Sequence, residues 1–75
     1  MLIEILGPGC ANCEKLAAAA EEAAAGLDAQ VVKVKDILKI TERGVLFTPA
    51  IAIDGEVKST GKVLTVAQIR ELIAQ

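Results

Sequence analysis

Histidine, tryptophan and tyrosine are missing from this chain, and Phe47 is its single aromatic residue. Without an imidazole, histidine-based triads and histidine-built metal centres are excluded. One aromatic ring cannot form a platform on which nucleic-acid bases stack. Positive charge is not in excess either: 8 Lys and Arg against 10 Asp and Glu leave a net charge of -2. The basic residues are scattered, so nucleic acid is not an expected partner. No apolar run approaches the ~20 residues that cross a bilayer. The opening MLIEIL has no basic segment and carries Glu4 within its apolar stretch. Neither a signal peptide nor a membrane partner is therefore expected, and a cytoplasmic location is.

Cysteine is scarce as well. Its two copies, Cys10 and Cys13, fall in one stretch, GPGCANCEKL. In an unexported chain such a pair points to reactivity or metal binding more than to a structural staple. A disulfide across so short a loop would also remove little entropy from the unfolded chain.

What the sequence has is aliphatic residue. Of its 75 residues, 53% are apolar, enough for one small domain spanning residues 1–75. Residues 1–6 read as a buried strand, closed by Gly7-Pro8-Gly9. From Cys10 the period becomes helical, with Cys13, Leu16, Ala17, Ala20, Ala24 and Leu27 as the apolar stripe and Gly26 at its end. Residues 30–34 form a second strand, with Lys33 and Lys35 of the kind that blunt an exposed sheet edge. Asp36 caps a short helix over 37–43, and Gly44 stops it. A third strand covers 50–53, Asp54-Gly55 marks a hairpin, and a fourth strand runs from 56 to about 59. Thr65 and Gln68 form a capping box for a last helix, which buries Val66, Ile69, Leu72 and Ile73. The order β-α-β-α-β-β-α needs one parallel crossover followed by a hairpin, which a mixed four-stranded sheet with helices on both faces accommodates. The fold class is α/β.

Cys10 then stands where a helix starts, a position whose unpaired N–H groups and partial positive charge stabilise a thiolate. Cys13 lies one turn later on the same side, within reach of a disulfide. Position assigns the roles: Cys10, at the exposed start, attacks a disulfide, and Cys13, facing inward, resolves the mixed disulfide. Neither step needs a histidine or an external cofactor, and none is expected beyond the Cys10–Cys13 disulfide itself. A bare C-x-x-C also occurs in zinc sites and copper carriers, and two inert core thiols are the plain structural alternative.

Three separated stretches, GPGCANC, FTPAIAIDGE and GKVLTVAQIRELI, together resemble the small thioredoxin-like, glutaredoxin-like proteins known as redox-active disulfide proteins. The likeness runs over essentially the whole chain and implies a minimal thioredoxin-like fold. It also implies a thiol–disulfide oxidoreductase with Cys10 as nucleophile and Cys13 as resolving thiol. Its partners would be disulfide-containing proteins and a reductase not identified from the sequence; separately, a monomer is expected. The resemblance further implies a cis Thr48–Pro49 bond facing the cysteines. Gly9, Ala11, Asn12, Thr48, Pro49 and Gly61 would form the groove that receives an extended substrate, with Lys62 at its border. Larger thioredoxins carry an aromatic residue where this chain has Gly9, so a thinner apolar rim is expected. The carboxylate that assists their resolving cysteine has no plain counterpart. Glu4 is either that group or, the favoured reading, a strand residue reaching water near a sheet edge, because an unpaired buried charge is costly.

Two rivals remain. A soft-metal carrier would hold Cu(I) on the same two thiolates, but such domains end in a strand and usually carry methionine before the motif. No metal site is expected here; structural zinc usually takes four ligands, and this chain offers two cysteines. The other rival is a binding module whose dithiol only regulates docking, which would exchange slowly with generic disulfides.

Overall fold

The computed structural model describes residues 1–75. Strand β1 (Leu2–Leu6) leads into α1 (Ala11–Ala24), then β2 (Gln30–Val34), α2 (Ile37–Glu42), β3 (Ala50–Ile53), β4 (Glu56–Thr60) and α3 (Val66–Ala74). The expected order holds throughout. The sheet runs β2-β1-β3-β4, with β1 parallel to β2 and antiparallel to β3. The β3–β4 pairing shifts register between Ile51 and Ala52. Central position explains why β1 and β3 are the most aliphatic strands: both their edges and both their faces are covered.

Alternation along β1 and β3 divides the core between the two faces. Ile3, Ile5, Ile51 and Ile53 point to one side, against Leu16, Ala17 and Ala20 of α1 and Ile69 of α3. Leu6, Ala50 and Ala52 point to the other, against Ile40 of α2 and Val45. The inward face of α1 is mostly alanine, so a helix of high intrinsic propensity can also lie close to the sheet. Full burial of a side chain such as Leu16 or Ile51 stabilises by about 1.5–3 kcal/mol.

Turn and cap chemistry fixes the ends. Asp54 adopts a left-handed φ of 49°, and its carboxylate accepts from the Leu2 N–H at 2.8 Å, tying the hairpin to the start of β1. Thr65 and Gln68 form the reciprocal capping box of α3, which satisfies two otherwise unpaired N–H groups.

Three details differ from expectation. Leu27 lies outside the α1 stripe and is exposed, because the helix stops at Ala24. Arg43 caps α2 rather than extending it. Glu4 does not reach water at a sheet edge: it lies on a central strand, and Arg43 supplies the partner that makes its burial affordable.

Candidate functional site

The parallel β1–β2 ladder continues one residue past β1, where the Gly7 N–H donates to the Val34 carbonyl at 3.0 Å. This pins the turn Gly7-Pro8-Gly9 at the end of the sheet. Cys10 follows as the N-cap of α1. Its Sγ accepts from the Cys13 N–H at 3.2 Å, and its carbonyl accepts from the Glu14 N–H at 3.0 Å. The cysteines are joined as a disulfide, with Cα atoms 4.9 Å apart. In the reduced protein the same N–H, together with the helix terminus, would face a thiolate, and a hydrogen bond to a charged acceptor is stronger than one to a neutral sulfur.

The two sulfurs are placed unequally. Cys10 is exposed, whereas Cys13 is 4% exposed and is packed beneath it. A Cβ added to Gly7 would lie 3.3 Å from the Cys13 Cβ, overlap its Sγ, and come within 3.8 Å of the Pro49 Cα. Gly7 is thus the small residue that lets Cys13 and Pro49 close on one another.

Pro49 is buried and joined to Thr48 by a cis peptide bond. Its carbonyl accepts from the Gly61 N–H at 2.8 Å, which brings the loop after β4 beside the proline loop. Gly61 has φ +70°, and a Cβ there would meet the Phe47 Cβ at 3.2 Å; both backbone and space ask for glycine. Thr48, Gly9, Ala11 and Asn12 are exposed around the dithiol. Lys62 instead lines a groove between β4 and α3, with Gln68 and Glu71.

Charge around the site is mostly paired. Lys33 on β2 donates to the Glu14 carboxylate at 2.8 Å. That hydrogen bond, and then the lysine's charge, holds the Glu14 carboxyl below its usual pKa and the Lys33 ammonium above its own. Arg43 grips both carboxylate oxygens of Glu4, at 3.0 and 3.1 Å, and donates to the Gly55 carbonyl at 3.2 Å. The hydrogen bond to Glu4 raises the guanidinium pKa. Glu4 faces α2, whereas Cys13 belongs to the helix covering the opposite face. Glu4 is therefore a structural ion pair with Arg43 and not a carboxylate held beneath Cys13. No group of three or more His, Cys, Asp or Glu side chains that could hold a metal ion is present.

The dithiol thus caps α1 with one sulfur exposed and the other buried, beside the Thr48–Pro49 loop. The model of the thioredoxin domain matches residues 1–74. This chain belongs to the thioredoxin family. It is 40% identical to the thioredoxin of Methanothermobacter thermautotrophicus over 76 aligned positions, which cover 99% of each chain. It is 39% identical to the thioredoxin of Methanocaldococcus jannaschii over 75 positions, 95% of this chain and 84% of that one. Such a thioredoxin-family chain is a thiol–disulfide oxidoreductase. The soft-metal carrier loses its footing, since the thioredoxin-domain model accounts for residues 1–74.

Sequence reasoning missed three residues of this thioredoxin-like site. Gly7 read only as turn punctuation; its contact with Cys13 depends on the approach of α1. Leu46 and Phe47 are 82% and 69% exposed, and Phe47 lies beside Gly61, whose N–H holds the Pro49 carbonyl. The signal for Phe47 was available: the chain's one aromatic ring directly precedes Thr48-Pro49.

Proposed function

We propose that this thioredoxin-family protein works as a reductant of protein disulfides, with Cys10 as nucleophile and Cys13 as resolving thiol. The observation that carries the reading is the unequal exposure of the two sulfurs at the start of α1. The Cys10 thiolate attacks one sulfur of a substrate disulfide, forms a mixed disulfide and expels the first substrate thiolate. Cys13 then gives up its proton and attacks the Cys10 sulfur. The second substrate thiolate leaves and is protonated, and Cys10–Cys13 is left oxidised by two electrons. A reductase or a small thiol returns those electrons.

The exposed backbone of Gly9, Ala11, Asn12 and Thr48, with Pro49 and Gly61 behind it, forms the seat for an extended substrate segment, and Leu46 and Phe47 supply its apolar side. No cofactor takes part beyond the disulfide. The working form is a monomer in the cytoplasm, where the thiol poise keeps such a pair largely reduced. No helix is long and apolar enough to cross a membrane, which is compatible with that location.

The test is a redox titration against dithiol–disulfide buffers, coupled to reduction of a disulfide-bonded peptide. A reversible two-thiol transition between about -270 and about -200 mV, with turnover of the peptide, is the expected result. A pair that resists internal oxidation and retains copper stoichiometrically would overturn it. Normal oxidation with negligible peptide turnover would favour the regulated docking module.

A further inference from the structure

Where larger thioredoxins carry an aromatic side chain before the first cysteine, this chain places the end of a lysine. Gly9 has φ +97°, and the position its Cβ would occupy is 3.8–3.9 Å from the Cδ, Cε and Nζ of Lys35. Lys35 directly follows β2, whose Val34 carbonyl holds the Gly7 N–H. The lysine is therefore carried over the turn by the same ladder that fixes the turn. Its ammonium stands over the residue next to Cys10.

No neighbouring carboxylate forms an ion pair with this ammonium, although its charge also reaches Glu14. On α1, Glu14 is bonded to Lys33. On β1, Glu4 is held by Arg43. Ahead of α2, the Asp36 carboxylate accepts from the Leu38 N–H at 2.9 Å. Lys39, Glu42 and Lys35 share an open groove of about 500 Å³ on the α2 side of the sheet, and Lys15 lies on α1 one turn beyond Asn12. No carboxylate lies within 4.0 Å of the Lys35 ammonium; the ion pairs of the chain are those of Lys33, Arg43 and Lys58.

We infer that Lys35 is a positioning residue for the dithiol: its ammonium, laid across Gly9, stabilises the Cys10 thiolate of the reduced protein. Disulfide formation removes that thiolate, so the lysine favours the reduced form over the oxidised one. Glycine at position 9 suits the same arrangement: its φ of +97° is one that glycine adopts without strain, and the lysine rests at van der Waals distance from where a Cβ would stand. Oppositely charged neighbours deepen thiolate stability in just this way.

The readout is the pH midpoint for alkylation of Cys10 by iodoacetamide, measured on the Cys13→Ser background with Lys35, Lys35→Met, Lys35→Arg and Lys35→Glu. This midpoint does not depend on which substrate or reductase the protein uses, so it is separable from the proposed reducing role. The expected result is a midpoint raised by roughly half to one pH unit in Lys35→Met, which slows alkylation ~3- to 10-fold below the midpoint. Lys35→Glu moves further in the same direction, and Lys35→Arg restores most of the original value. In ~1 M salt the difference between Lys35 and Lys35→Met shrinks, because the screening length falls to ~3 Å. Equal midpoints for Lys35 and Lys35→Met at low salt overturn the inference. So does a Lys35→Arg midpoint equal to that of Lys35→Met, which would mean the stem acts by packing and not by charge. Circular dichroism of each variant shows that the comparison is made between folded proteins.

Discussion

The backbone N–H of Cys13 donates to the sulfur of Cys10 at 3.2 Å, so the buried cysteine holds the exposed one in its cap position at the start of α1. The order of events follows from this asymmetry. Cys10→Ser is expected to abolish exchange with a disulfide peptide. Cys13→Ser is expected to retain attack and accumulate a mixed disulfide, visible by mass spectrometry as an adduct that dithiothreitol removes. If the two variants exchanged these outcomes, the roles would be reversed.

Gly7 is predicted to be intolerant of even one methyl group. The added Cβ would sit 3.3 Å from the Cys13 Cβ and overlap its sulfur. Overpacking of this kind costs about 1–3 kcal/mol, read as a lower urea midpoint for Gly7→Ala. The loss should be larger in the oxidised than in the reduced protein, where the Cys13 side chain has more freedom to turn away.

Breaking the Glu4–Arg43 pair from one side should cost more than removing both partners. The side chains are only 15% and 28% exposed, so Arg43→Met leaves a carboxylate on the central strand without its fork of donors. A loss of about 1–3 kcal/mol is expected in chemical denaturation. The double variant Glu4→Leu/Arg43→Met should recover part of it, because no charge is then stranded. Disulfide exchange per folded molecule should be little changed, since the pair lies on the face opposite α1.

The Glu14–Lys33 pair sets a pH window. The Glu14 carboxyl is held below its usual value near 4.5 by the Lys33 hydrogen bond. Its contribution is therefore complete above that value and disappears as pH falls through the lowered one. The Lys33 ammonium is held above its usual 10.5, so its contribution is complete below 10.5 and disappears as pH rises through the raised value. Glu14→Gln should lower the melting temperature slightly at neutral pH. The difference from the parent should vanish on acidification to about pH 2 and narrow in high salt, as expected of an exposed pair.

Much of this protein was legible along the chain. Strand, helix and turn depend on local chemistry: aliphatic runs, alanine at helical spacing, Asp54-Gly55 at the hairpin, Thr65 and Gln68 at the last cap. The dithiol was legible for the same reason, since Cys10 and Cys13 are one helical turn apart and the turn before them marks the helix start. Tertiary structure decided what lies behind and beside them. Gly7 supports Cys13 only because α1 folds back onto the sheet, and Lys35 covers Gly9 only because β2 pairs in parallel with β1. Glu4 was misread because its partner, Arg43, lies 39 residues away and becomes a neighbour only when α2 packs across the sheet. Contacts within one turn or hairpin are fixed by bonded geometry, which a sequence records directly. Contacts between elements are fixed by how whole faces pack, which no single stretch of residues records.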